Sequence, residues 1–225
     1  MSPRPRLITF DLFGTVVDWR TGLRAAVEKH GGALDDEAFE AVIDAQAADE
    51  QAGFRPYVEI TERSLVRVLG LAPADARAIG ERAGEWPVFA DAPEAMRALM
   101  AIAPCAATTN GDLRHRAAIE AQLGISLAHW ICAEDVRAYK PDVRIWRAAA
   151  ERTGALPGPD WWHVSAYADY DLATARALGL TCVLVRRSHH RAGTADLVDW
   201  TVEDLAEFAR RLQVQGSGWV LAPGL

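Results

Sequence analysis

The sequence predicts an α/β protein: a parallel sheet with helices on both faces, interrupted after its first strand by an all-helical insertion. Three observations predict it. Five short apolar runs have strand length: Leu7 to Phe10, Cys105 to Thr109, Trp130 to Ala133, Trp161 to Ser165 and Thr181 to Val185. Segments of helical periodicity stand between the later runs, and strand–helix alternation of this kind builds a parallel sheet. Residues 11–104, between the first run and the second, carry helical patterns only.

The first strand, "LITF", ends in a lone carboxylate, Asp11, ahead of Gly14. Helical patterns then cover 20–31, 35–52, 55–69 and 73–84. The stretch "EWPVFADAPEAMRAL" offers two prolines and an Asp91-x-x-Glu94 capping box, which start a fresh helix. These marks divide the chain into a core, residues 1–15 and 87–225, and a helical insertion, residues 16–86. Past the second strand, "RHRAAIEAQLG", "DVRIWRAAAERTG" and "DLATARALG" each close on a glycine suited to a left-handed C-cap. The glycine-rich end "QVQGSGWVLAPGL", with Trp219, reads equally as a docked tail or a disordered one.

Composition narrows the function. The chain has 225 residues, 50% apolar and 24% charged, enough for a packed core. Its net charge of −7 comes without a long run of either sign, so nothing marks a nucleic-acid or anionic-membrane partner. A small molecule is the expected partner, and a homodimer is left open. The first residues hold too few apolar positions for a signal peptide, and no window reaches the ~18 needed to span a membrane, so the expected location is cytoplasmic. Cys105, Cys132 and Cys182 lie in or beside apolar runs without metal-ligand spacing and read as buried thiols. The six histidines, His189 and His190 among them, show no ligand spacing either and read as structural or exposed.

Open parallel sheets bind ligands beyond the carboxyl ends of their strands. The first strand ends in Asp11, Gly14 and Thr15, and the second in Thr108, Thr109, Asn110 and Gly111. "EDVRAYKPD", with Lys140, follows the third; "VSAYADYD", with Asp171, follows the fourth. Two carboxylates, hydroxyls, an amide and an ammonium at one edge suit covalent catalysis, in which a cation holds a carboxylate nucleophile ionised and aimed.

These motifs resemble the haloacid dehalogenase superfamily, in its type II-like branch with a helical cap. "DLFGT", "TTNG", "YKPD" and "DYDLATARALG" match its four motifs in order, over nearly the whole chain. The resemblance implies a Rossmann-like core with strand order 5-4-1-2-3 under a cap. It implies Asp11 as nucleophile, Lys140 and Thr15 holding its other oxygen, and Asp171 activating water with help from Ser165 or Tyr167. Thr109 and Asn110 would contact substrate.

The same comparison separates two chemistries. Phosphatases of the superfamily carry a second aspartate two residues after the nucleophile, where this chain has Phe13, and a "GD" pair for magnesium, where it has Ser165 and Ala166. The dehalogenases carry an aromatic at the plus-two position and work without metal. The expected function is therefore a 2-haloacid dehalogenase-like hydrolase with an ester intermediate, a small anionic substrate and no cofactor. The alternatives are an atypical phosphatase, with Asp11 and Asp171 on magnesium, and a non-catalytic binding module of the same fold. The dehalogenases' cap arginine has no counterpart in "VIDAQAADEQ", and Arg55 is the nearest replacement. "VSAYADYD" is one residue longer than most dehalogenase versions. Trp19, Tyr57 and Trp146 could line the gap between cap and core, or simply pack in it, and Arg20 could meet an anion. Asp11 and Asn110 also suit turns, Lys140 a solvated surface, Thr15 and Thr109 a backbone hydrogen bond, and Asp171 a helix cap.

Overall fold

A computed structural model describes residues 3–187 and 198–217. Its sheet has six parallel strands: β1 (Leu7–Phe10), β2 (Cys105–Thr109), β3 (His129–Cys132), β4 (Trp161–Ser165), β5 (Thr181–Val185) and β6 (Trp200–Val202). Their order is β3-β2-β1-β4-β5-β6. The expected order is present, with β6 added beyond β5, and the third strand starts one residue early. His189, His190 and the end of the glycine-rich tail lie outside the described residues.

The sheet alternates as a doubly covered sheet must. Ile8 and Phe10 join one apolar cluster with Met96, Leu99 and Phe208. Leu7, Ala106 and Ile131 join the other, with Ile145, Trp146 and Trp161. Successive side chains of a strand point to opposite faces, so both faces of β1 are dry. β1 pairs with β2 on one side and β4 on the other, with Phe10 level with Ala107 and Val164. Asp11 thus emerges at the point where the strand order reverses, the usual ligand site of an open sheet.

Between β1 and β2 stand α1 (Trp19–Lys29), α2 (Asp36–Gln51), α3 (Tyr57–Leu69), α4 (Pro73–Glu81) and a 3₁₀ turn, Ala83–Glu85, before α5 (Ala92–Met100) returns to the sheet. All four expected helices of the insertion form. Leu23, Phe39 and Leu65 bury their side chains continuously with the core cluster under the sheet. Then follow α6 (Arg116–Leu123), α7 (Ala133–Val136), α8 (Val143–Thr153), α9 (Ala173–Ala177) and α10 (Leu205–Ser217). Gly124 and Gly154 close α6 and α8 in the left-handed region at φ 62° and 69°, which a side chain would disfavour.

Two cap expectations are corrected. Asp91 precedes α5 but makes no capping bond. Its carboxylate meets the Arg187 fork at 2.9 and 3.0 Å and accepts the Leu205 N–H at 2.8 Å, charge-assisted bonds stronger than a neutral cap. Asp171 does not cap α9 either, because it sits inside a π-helical turn, Ala168–Leu172. A π turn takes one residue more than an α turn, which accommodates the extra residue of "VSAYADYD".

Candidate active site

Asp11 lies at the floor of a cavity of about 770 Å³ between the sheet edge and the helices of the insertion. It is 3% exposed. Both its oxygens have donors: Lys140 Nζ reaches Oδ1 at 2.8 Å, and Thr15 Oγ1 donates to Oδ2 at 2.7 Å. Thr15 is itself fixed. The Ala166 N–H donates to its hydroxyl at 2.9 Å, and Arg187 donates twice to its carbonyl, at 3.1 and 2.9 Å.

Lys140 comes from the loop after α7. Its ammonium also donates to Asp171 Oδ2 at 2.7 Å and to the Thr108 carbonyl at 3.1 Å, so all three protons are placed. Asn110 fixes its backbone from the next strand end: the Lys140 N–H donates to Asn110 Oδ1 at 2.7 Å, and Asn110 Nδ2 donates to the Lys140 carbonyl at 3.4 Å. Thr109 accepts the Gly111 N–H at 3.1 Å and, with Asn110, lines the cavity.

The remaining oxygen of Asp171, Oδ1, lies 3.1 Å from His163 Nε2 on β4, in contact but poorly aligned. His163 is fixed from behind by Thr9 Oγ1 at 2.9 Å, which accepts from Trp161 Nε1 at 2.9 Å. The electrostatics follow from this chain of contacts. Burial opposes the charge of Lys140, but Asp11 and Asp171 outweigh it and raise its pKa. Burial also opposes the charge of Asp171, yet Lys140 and then His163 more than reverse that and hold the carboxyl below the usual range. For Asp11 burial wins over Lys140, with repulsion from Asp171 added, and its pKa is raised.

Phe13 lines the cavity at the plus-two position, stacked on Tyr57 at 5.6 Å and edge-on to Trp86 and His115. A Cβ at Gly111 would fall 2.6 Å from the Phe13 ring, so the ring in this position leaves no room for a side chain at the "TTNG" glycine. Trp19, Tyr57 and Tyr167 also line the cavity. Trp19 Nε1 donates to the Tyr167 hydroxyl at 3.0 Å across the gap between insertion and sheet.

Several expected site residues stand elsewhere. Trp146 is in the core, against Trp161 and His163, because it faces the sheet from α8. Arg55 pairs with Glu59 at 3.1 Å and does not line the cavity. Ser165 is fully buried and accepts the Tyr167 N–H at 3.1 Å. Arg20 pairs with Glu40. Asp171 is sealed behind Lys140 and does not line the cavity, so it holds the ammonium rather than facing a substrate water.

A hard cation needs several oxygen ligands at once. Here Lys140 and Thr15 donate to the two oxygens of Asp11, Lys140 also donates to Asp171 Oδ2, and Asp171 Oδ1 faces His163. Among the described residues no group of three His, Cys, Asp or Glu side chains could hold a metal ion.

A sequence model of haloacid dehalogenase-like hydrolases matches residues 5–179. The chain belongs to this family. No curated protein matches it. Among solved structures, an L-2-haloacid dehalogenase is 25% identical at a TM-score of 0.77, over 93% of this chain and 99% of that one. The L-2-haloacid dehalogenase of Xanthobacter autotrophicus is 18% identical at 0.77, over 93% and 98%. A magnesium-bound putative hydrolase of the family, YfnB of Bacillus subtilis, is 15% identical at 0.75, over 94% and 100%. The last two establish the fold alone.

Sequence reasoning missed four residues of this hydrolase's site region. Asp112 accepts the Tyr57 and Val58 N–H groups at 2.8 and 3.0 Å, tying the insertion to the sheet. Tyr139 donates to the Arg55 carbonyl at 2.8 Å. Glu50 lines the cavity from α2, and burial pushes its carboxyl up to about 8 against the pull of Lys140. Arg137 lines it from the end of α7.

Proposed function

We propose that this protein is a metal-independent hydrolase of the 2-haloacid dehalogenase type. Asp11 attacks the carbon that bears the leaving group, forming a C–O ester bond as the carbon–halogen bond breaks and halide departs with the electron pair. Water then adds to the Asp11 carbonyl carbon. The tetrahedral intermediate collapses, the acyl–oxygen bond breaks, Asp11 is regenerated and the 2-hydroxy acid leaves. One observation carries the reading: a cavity-floor carboxylate held at both oxygens, by an ammonium and a hydroxyl, with an aromatic ring where a proton donor would otherwise stand.

Each group has a part. Each Asp11 oxygen keeps a lone pair beyond the one its donor occupies, so it can still attack. Lys140 offsets the oxyanion charge of the second step, and Asp171, kept ionised, keeps Lys140 charged and in place. Halide needs no proton on leaving, so Phe13 takes nothing from the chemistry. Exclusion of bulk water by the aromatic walls strengthens the Lys140–Asp11 attraction.

The test is halide release from a panel of 2-halocarboxylates in the presence of a chelator. Release by the native chain and none by Asp11→Asn supports the proposal; no release from any member contradicts it.

A further inference from the structure

Both ends of the helical insertion meet one buried guanidinium. Thr15 precedes α1, and Phe89 and Asp91 stand between the 3₁₀ turn and α5, where the chain returns to the sheet. Arg187, two residues past β5, reaches all three. Its Nε and Nη2 donate to the Thr15 carbonyl at 3.1 and 2.9 Å, and its Nη1 and Nη2 to the two Asp91 oxygens at 2.9 and 3.0 Å. The same group lies over the Phe89 ring, 3.9 Å from its centroid. Beside it the Phe89 N–H donates to the Val16 carbonyl at 2.9 Å, which joins the outgoing and returning segments directly.

Thr15 carries this clamp to the nucleophile. Its carbonyl faces Arg187 and its hydroxyl faces Asp11, so a hold on one end limits the other. The hydroxyl has one proton, which goes to Asp11 Oδ2 at 2.7 Å, while the oxygen accepts the Ala166 N–H at 2.9 Å. The last bond of an aspartate side chain has no sharp rotamer preference, so Asp11 takes its orientation from its two donors. Lys140 is placed by Asp171 and by the Asn110 bonds to its backbone. Thr15 is placed by Ala166 at its hydroxyl and by Arg187 at its carbonyl. Arg187 does not line the cavity, so what it does for the reaction passes through Thr15 rather than through contact with substrate.

We propose that Arg187 is a positioning residue for the nucleophile: through Thr15 it holds the Asp11 carboxylate at its angle of attack, and through Phe89 and Asp91 it ties that angle to the root of the insertion. The residue type follows from the task. A planar guanidinium sends donors in two directions at once, toward a carboxylate and toward a carbonyl, whereas a lysine ammonium is a single point charge that cannot serve both in this geometry. A small misplacement of an attacking atom is costly, so a residue outside the cavity can govern the rate. The inference goes beyond the proposed function in naming such a residue, and rests on it in taking Asp11 as the nucleophile.

The experiment takes two readouts on Arg187→Gln and on Arg187→Lys, which keeps a cation for Asp91 and guards against simple misfolding. The first needs no turnover: the Asp11 carboxyl carbon is titrated by ¹³C NMR, its signal assigned with Asp11→Asn. Burial raises the Asp11 pKa and the Thr15 hydrogen bond opposes that rise, so loss of the bond should move the midpoint up by about half a unit or more. Lys140, Asp171, Tyr167 and Tyr170, the other ionisable groups facing Asp11, stay in every variant. Thr15→Val should give the same rise, and Thr15→Val combined with Arg187→Lys no more than Thr15→Val alone. The second readout is ester formation in a single turnover of a 2-halocarboxylate, expected to be at least about tenfold slower in both Arg187 variants while KM stays within about twofold. A native midpoint in a folded Arg187 variant, shifts that add in the double variant, or a raised KM without slower ester formation overturns the proposal. A native chain that releases no halide removes the reaction, and the titration then decides the clamp by itself.

Discussion

Lys140 is 2% exposed and sits between two carboxylates. Removing one partner of a buried ionic group leaves uncompensated charge, so Lys140→Met is expected to lower stability by about 3–5 kcal/mol, read by urea unfolding. Glu50 gives a prediction of opposite character. Its folded pKa of about 8 lies above the ordinary carboxylate value, so the folded state holds its proton where the unfolded chain has released it. Stability contributed by that proton is present at acid pH and falls as pH rises from about 5 through 8, by an amount on the order of a few kcal/mol. Glu50→Gln should flatten that part of the stability–pH curve; an unchanged slope contradicts the assignment. At this scale the sequence was legible where chemistry leaves a local mark. Asp11 closes an apolar strand and Lys140 precedes a proline after another, and both are in the site. Trp146 and Ser165 carried the same kind of mark, but their side chains point into the core, and which way a residue faces is decided by packing rather than by type.

The start of α3 shows what sequence order hides among the elements. Its N-cap residue is Pro56, which offers no side-chain acceptor, yet its first amides are not orphaned: Asp112, just past β2, accepts two of them. His115 braces that aspartate's turn, accepting the Asp112 N–H at Nδ1 and facing the Gly80 carbonyl with Nε2, 3.1 Å away. One carboxylate therefore caps a helix of the insertion and locks the insertion to the sheet. Asp112→Ala should cost about 1–3 kcal/mol and raise hydrogen exchange at the first turn of α3 before other helices respond. Uniform exchange across the insertion would count against it. Most elements were legible, because period and glycine stops are local signals. β6 was not: three residues, "WTV", are too short for alternation to register, and the strand exists through its pairing with β5. The Asp91 capping box failed for a related reason, since Arg187, distant in sequence, competes for the same carboxylate.

At the scale of the molecule, the helical insertion and the sheet edge enclose a cavity lined by the Asp11 carboxylate and Lys140, with Asp171 behind the ammonium, and by aromatic side chains. Burial raises the Asp11 pKa, and only its ionised form is a nucleophile. The acid limb of kcat/KM should therefore fall at higher pH than an ordinary aspartate, about 3.9, would give. A limb at or below that value contradicts the account. The central claim, an ester on Asp11, is tested most directly by a single turnover in ¹⁸O-water with enzyme in excess over a 2-halocarboxylate, chelator present, followed by mass analysis of the peptide that contains Asp11. Water attacks the enzyme carbonyl, so the account predicts one ¹⁸O in Asp11 and unlabelled product. Label in the product with none in Asp11 would mean that water attacks the substrate directly, and would contradict it.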